Sequence, residues 1–320
     1  MQDVLQVTFP FFALVLCGYL AARRRLLPLD AIAGLNSFVL FFALPCMLFR
    51  FGAGTPIAQL LDASVFLTYL LCALILVALA VAISLNARIR WKDAALGALV
   101  AAFPNTGFMG VPLLVALLGP AAAGPTIVTI LVDMVITTSL CLALAELDAA
   151  DEHGAAVALR KALGGMLRNP MPWAILLGAV FSWRDLALMP AVARAVGLLA
   201  DAASPVALFT IGAVLARSQM GVHPKGPLPV RDFLPVALLK LVLHPLLVWV
   251  VAHGAQGLGV PLQPFALMVM VLVAALPSAS NVSLLAERIG ADNGRIARII
   301  LVTTAVAFLS FSAVVTALRP

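Results

Sequence analysis

Leu99-Val100-Ala101-Ala102-Phe103-Pro104-Asn105-Thr106-Gly107-Phe108 is the stretch that sets the fold of this chain. An apolar helical run meets a proline, which lacks a backbone donor and clashes with the carbonyl one turn back. Small polar residues follow at once. The pattern returns downstream as Leu272-Val273-Ala274-Ala275-Leu276-Pro277-Ser278-Ala279-Ser280-Asn281. In water such breaks would be ordinary loops. In hydrocarbon, irregular backbone is tolerated only where it is buried in protein or lines a wet cavity.

Composition decides for hydrocarbon. Hydrophobic residues make up 63% of the 320, charged residues only 11%, and the mean hydropathy is +1.12, far from the soluble globular range. A span needs about 20 apolar residues to cross the bilayer core, so the chain has room for ten spans and none for a soluble domain. The apolar runs predict helices near residues 4–22, 35–51, 63–86, 94–118, 126–147, 170–183, 190–216, 232–253, 262–289 and 295–318. The pI near 9.6 does not imply nucleic acid, because no basic cluster is interleaved with aromatics. Cys17, Cys46, Cys72 and Cys141 stand singly in apolar runs, without metal-ligand spacing, and read as buried packing residues.

Charge supports the span count. No basic residue precedes the first apolar run, whereas Arg23-Arg24-Arg25 follows it, which argues for a retained first helix with its N-terminus outside. On that reading the inner connections hold fifteen of the 20 Lys and Arg and the outer ones four: Arg50, Arg184, Arg194 and Arg319. The remaining cation, Lys240, falls within a span. Arg295 and Arg298 count among the inner cations. The bridge at 148–169, with Asp148, Asp151, Glu152 and His153 before Arg160 and Lys161, reads as a short cytoplasmic connection.

Splitting the chain at that bridge leaves five spans on each side, 1–147 and 170–320. An odd number per half inverts the second half relative to the first, an arrangement characteristic of transporters. The two proline breaks occupy the fourth and ninth spans. Pro45-Cys46-Met47-Leu48-Phe49 and Pro205-Val206-Ala207-Leu208-Phe209 match in the second and seventh. After each break a half-helix begins, with Asn105 or Ser278 placed to cap its free amides. Two such N-termini meeting at mid-membrane would attract an anion. The predicted substrate-binding set is Pro104, Asn105, Thr106, Pro277, Ser278, Ser280 and Asn281.

Two ionisable residues lie at depth, Asp133 in the fifth span and Lys240 in the eighth, each about 10–12 Å from an end at a rise of ~1.5 Å per residue. Such residues face a cavity or a partner. Asp133 is the candidate carrier of a coupling cation or proton, H+ or Na+, and Lys240 its neutraliser or an attractor of the anion; a structural ion pair between them is the alternative. His244, one turn beyond Lys240 and directly before Pro245, reads as a packed or snorkelling imidazole, with a proton relay as the alternative. No metal or other cofactor is expected.

The run Pro104-Asn105-Thr106-Gly107-Phe108-Met109-Gly110-Val111-Pro112-Leu113-Leu114 closely resembles the crossover of the auxin efflux carrier family, which includes plant PIN-type carriers. Leu276-Pro277-Ser278-Ala279-Ser280-Asn281 with Leu285-Ala286-Glu287 is similar to the second crossover in bacterial members. Lys240 with Pro245 and the stretch Phe209-Thr210-Ile211-Gly212 add to the likeness. The resemblance implies an all-α integral membrane fold of ten helices in two inverted five-helix repeats, related to bile-acid symporters and sodium/proton antiporters. It implies a homodimer, with a scaffold of helices 1, 2, 6 and 7 and a mobile transport unit of helices 3–5 and 8–10. By match of position, Asn105 and Asn281 contact the substrate, a small organic anion carried by an elevator-type movement.

Two departures from the plant pattern point to a bacterial member, for which the charge distribution over ten spans predicts an inner-membrane protein with both termini periplasmic. The central loop is reduced to about twenty residues, and Asn281-Val282-Ser283 replaces a second proline. Malonate or malate is then a more fitting cargo than auxin. The rival readings are a cation or proton antiporter of the same fold and a non-transport membrane sensor. An intramembrane enzyme is not expected, because Ser278, Ser280 and Ser283 have no base that the sequence places beside them.

Overall fold

The computed structural model describes residues 2–146, 170–220 and 229–318. The bridge at 148–169, His223 and Arg319 lie outside these residues. Among the described residues the secondary structure is helical, apart from one isolated antiparallel bridge between Pro104 and Ser278. Seven helical runs are long and apolar enough to cross a membrane: Gln6–Arg23, Ala31–Gly54, Ile57–Ser84, Pro120–Ala145, Pro190–Met220, Val230–Gly257 and Asn293–Leu318. Three shorter apolar helices are Thr106–Leu118, Pro170–Trp183 and Pro264–Ala275.

The chain divides into two compact units. The first comprises Met1–Asp62, Gly107–Val128 and Asn169–Val222; the second comprises Ala63–Thr106, Thr129–Arg168 and His223–Pro320. The chain therefore passes from one unit to the other at Thr106-Gly107, just beyond the first proline break.

In the first unit, α1 (Gln2–Arg23) packs against a long helix, Pro190–Met220, and α2 (Ala31–Phe38) continues through a π-helical turn into α3 (Leu44–Gly54), which packs against Pro170–Trp183. Glycines permit both crossings. A Cβ on Gly18 would overlap the Phe209 carbonyl, one on Gly212 the Val15 carbonyl and one on Gly178 the Phe49 carbonyl; one on Gly52 would press on the Ile175 carbonyl at 3.1 Å. Lipid gives apolar helices no hydrophobic reason to associate, so close backbone approach at small residues supplies the attraction.

The second unit begins with α4 (Ala63–Ser84) and α5 (Trp91–Ala102). It continues with α6 (Thr138–Ala145), α7 (Val230–Leu238), α8 (His244–Gly257), α9 (Pro264–Ala275), α10 (Asn281–Ile289) and α11 (Asn293–Leu318). Proline ends α5 and α9 by the same rule. The residue before a proline is pushed out of the helical region, and Phe103 (ψ 99°) and Leu276 (ψ 156°) are both extended. Gly290, at φ +69°, closes α10 in the left-handed conformation that glycine adopts without steric cost.

Two expectations about single residues need correction. Cys17 is exposed and Cys46 half-buried, and only Cys72 and Cys141 are buried. An apolar run reveals that a thiol is in a span but not which side of the helix it occupies. Arg295 is not a loop cation. It lies in the first turn of α11 with 2% of its surface exposed.

Candidate functional site at the paired helix breaks

Each break satisfies the other. The Asn105 amide donates to the Pro277 carbonyl at 2.7 Å, and the Ala279 amide donates to the Phe103 carbonyl at 2.9 Å. These are the two bonds of a short antiparallel pairing centred on Pro104 and Ser278. Broken backbone at membrane depth must find partners inside the protein, and here it finds the other break. The pairing brings together Pro104, Asn105, Thr106, Pro277 and Ser278. Ser280 and Asn281 begin α10 immediately after it.

The cap expected of Ser278 does not form. Ser280 holds the N-cap position of α10 and makes no side-chain capping bond. Ser278 sits within the bridge instead, where its amide donates to Thr303 Oγ1 at 3.3 Å. Asn105, 4% exposed, uses its backbone in the pairing, and the Thr106 hydroxyl turns back to the Pro104 carbonyl at 3.4 Å. Ser278 Oγ and Asn281 Oδ1 are buried without a hydrogen-bond partner among the described residues. Buried polar atoms are nearly always paired in native proteins, and these two, three residues apart at one crossover, are exceptions.

Lys240 belongs to the same construction. With the Ser278 amide diverted to Thr303, the Ala274 carbonyl loses the partner a continuous helix would give it. Lys240 Nζ donates to that carbonyl at 2.8 Å. A cation thus closes the C-terminal end of α9, where the helix dipole is negative. Lys240 is fully buried and also lies 3.0 Å from His244 Nδ1.

Asp133 is fully buried as well, and it accepts from the Tyr69 hydroxyl at 3.1 Å and from Thr137 Oγ1 at 3.3 Å. The charges of Asp133 and Lys240 act on one another, but no direct ion pair joins them among the described residues. Both sit in π-helical turns, Val132–Thr137 and Leu239–Leu243. Such turns are rare and often mark functional positions. Sequence periodicity cannot show them, because one inserted residue leaves the apolar pattern almost unchanged.

Tyr69 was missed as a neighbour of Asp133, and His244 was read first as a packing residue rather than as a partner of Lys240. Tyr69 lies in an almost uniformly apolar helix, where nothing marks a polar tip. His244 had a usable signal, since it follows Lys240 at the i+4 spacing that places two side chains on one helix face. Arg295 was missed in a third way. Its guanidinium donates to the Asp232 carbonyl at 2.6 Å, the Asp93 carbonyl at 2.8 Å and Ser84 Oγ at 3.1 Å, tying together four helices of the second unit. Gly97 leaves the space that it fills; a Cβ there would lie 2.7 Å from Arg295 Nη1.

Comparison with known proteins gives the family of the chain. A protein of Rhizobium meliloti (strain 1021), named provisionally as a malonate transporter, is 28% identical over 305 residues, covering 95% of this chain and 92% of its own. The uncharacterized transporter YfdV of Escherichia coli (strain K12) is 27% identical, covering 87% and 86%. Auxin efflux carrier component 8 of Arabidopsis thaliana is 24% identical, covering 86% of each chain. Residues 3–315 match the family described as Membrane transport protein, so the chain is a membrane transporter and belongs to this family, that of the auxin efflux carriers.

Proposed function

We propose that the chain is a secondary active transporter that moves a small organic anion, a carboxylate, and binds it at the crossover of the two helix breaks. The observation that carries this reading is the pair of unpartnered buried atoms, Ser278 Oγ and Asn281 Oδ1, beside the backbone pairing of the two breaks at Pro104 and Ser278. A hydroxyl and a carboxamide can each donate to a carboxylate, the amide by turning its NH2 inward. Lys240 at the end of α9 supplies positive charge, and Asp133 is the candidate for a coupling H+ or Na+. The provisional name of the Rhizobium relative makes malonate the first cargo to test.

Two inverted five-helix repeats also belong to this proposal, and packing supports them. Exchanging the first span with the sixth and the second with the seventh turns the Gly18 and Gly212 crossing into the Gly178 and Gly52 crossing. Exchanging the fourth with the ninth turns one proline break into the other. An elevator-type carrier follows, with helices 1, 2, 6 and 7 as a dimeric scaffold and helices 3–5 and 8–10 as the moving unit. It sits in a bacterial inner membrane with both termini periplasmic.

Purified protein in proteoliposomes, offered radiolabelled malonate, malate and other small carboxylates under imposed proton or sodium gradients, tests the reading. Saturable, gradient-driven uptake of a carboxylate is the expected result. Cation flux with no carboxylate dependence would replace it with an antiporter.

A further inference from the structure

His244 combines three properties that a packing residue does not need. It is fully buried, its Nδ1 lies 3.0 Å from a lysine ammonium, and its Nε2 has no hydrogen-bond partner among the described residues. An ammonium has donors and no acceptor, so Nδ1 must be the accepting nitrogen. The neutral ring then carries its proton on Nε2. The result is a buried N–H with nothing to donate to, on a ring whose other side already receives a proton donor.

We propose that His244 is a proton-exchanging residue of the transport site, taking a proton from Lys240 at Nδ1 and releasing one from Nε2. This rests on the transport reading above and adds the path by which Lys240 gains and loses its charge. In the step, the Nζ–H bond breaks as the Nδ1–H bond forms, and the Nε2–H bond breaks as a water molecule takes the proton. The products are a neutral amine and a neutral imidazole protonated on Nδ1, which now donates to the lone pair of Nζ. The Lys240–His244 hydrogen bond persists with its direction reversed, so charge leaves the site without either side chain moving.

The surroundings fit. From α4, Tyr69 stands with its ring centroid 6.0 Å from that of His244, and its hydroxyl donates to Asp133; Cys72 is buried on the same helix. Helix α9 brings no ionisable side chain. The ionisable residues of α5 and α11, namely Lys92, Asp93, Arg295 and Arg298, lie in the first two turns of those helices. Asp133, Tyr69, His244 and Lys240 therefore form one buried string, and His244 is the member with an unused proton.

The test is the tautomer. Histidine 15N spectra of the full chain in lipid nanodiscs, with the His244 signal assigned by its loss in His244→Asn, are recorded between about pH 5 and pH 8. We expect the Nε2–H tautomer at the acid end and the Nδ1–H tautomer at the other. A ring that keeps one tautomer throughout overturns the proposal. In proteoliposomes, His244→Asn retains an acceptor oxygen near the Nδ1 position but cannot pass a proton. Its ratio of proton-driven malonate accumulation to malonate exchange falls at least about tenfold, whereas a ring that only packs leaves that ratio unchanged. If the native chain shows no carboxylate uptake, the transport reading fails, and the tautomer swap still decides the role of His244.

Discussion

The two units solve the same problem, helix association without hydrophobic drive, by opposite means. The first relies on bare backbone contact: Gly18 against Phe209, Gly212 against Val15, and Gly52 and Gly178 against each other's helices. The second relies on buried polar groups: the paired helix breaks, the Lys240 bond to Ala274, and the Arg295 bonds to Ser84, Asp93 and Asp232. Backbone contact is apolar, inert and intolerant of added atoms. A polar network costs desolvation unless every member is paired, so unpaired atoms such as Ser278 Oγ, Asn281 Oδ1 and His244 Nε2 stand out.

Substitutions can break this contrast. Arg295→Ala strands two carbonyls and a hydroxyl and empties a large space, and we expect a loss of about 4 kcal/mol, read as a fall in the unfolding midpoint of detergent-solubilised protein. Arg295→Lys recovers part of that loss, because the network needs a donor more than a shape. Gly212→Val inserts side-chain atoms against a carbonyl that cannot move, at a cost of about 3 kcal/mol. Gly212→Ala is not rescued to native stability, because even one carbon is too many. If alanine at 212 melts like the native chain, the first unit is not held by backbone contact.

Asp133→Asn keeps a partner for Tyr69 and Thr137 and shifts stability by only about 1 kcal/mol, while gradient-driven accumulation is lost. Full accumulation in that variant would remove the coupling role of Asp133. The smallest effect concerns the thiols. A lipid-soluble maleimide labels Cys17 and leaves Cys72 and Cys141 unmodified in the folded protein, with no change in melting; equal labelling of all four would contradict the burial described here.

How much of this was legible depended on scale. Composition gave the membrane class, because no arrangement of such a chain hides its apolar surface from water. Pro104 and Pro277 marked the helix breaks, because proline constrains its neighbours locally, without reference to tertiary contacts. The role of Ser278 was misread for the complementary reason: capping is the local solution, and the pairing of two breaks distant in sequence displaced it. Arg295 looked like a loop cation because the space made for it by Gly97 and the carbonyls of Asp93 and Asp232 comes from other helices. The π-helical turns around Asp133 and Lys240 left no trace in the apolar period.

The most direct test is malonate affinity in Asn105→Ala, Asn281→Ala and the double variant, measured by binding to protein whose melting matches the native chain. If the crossover is the binding site, each single change weakens binding about tenfold, or about 1.4 kcal/mol, and the double variant abolishes it. Unchanged affinity in all three would mean that the anion binds elsewhere.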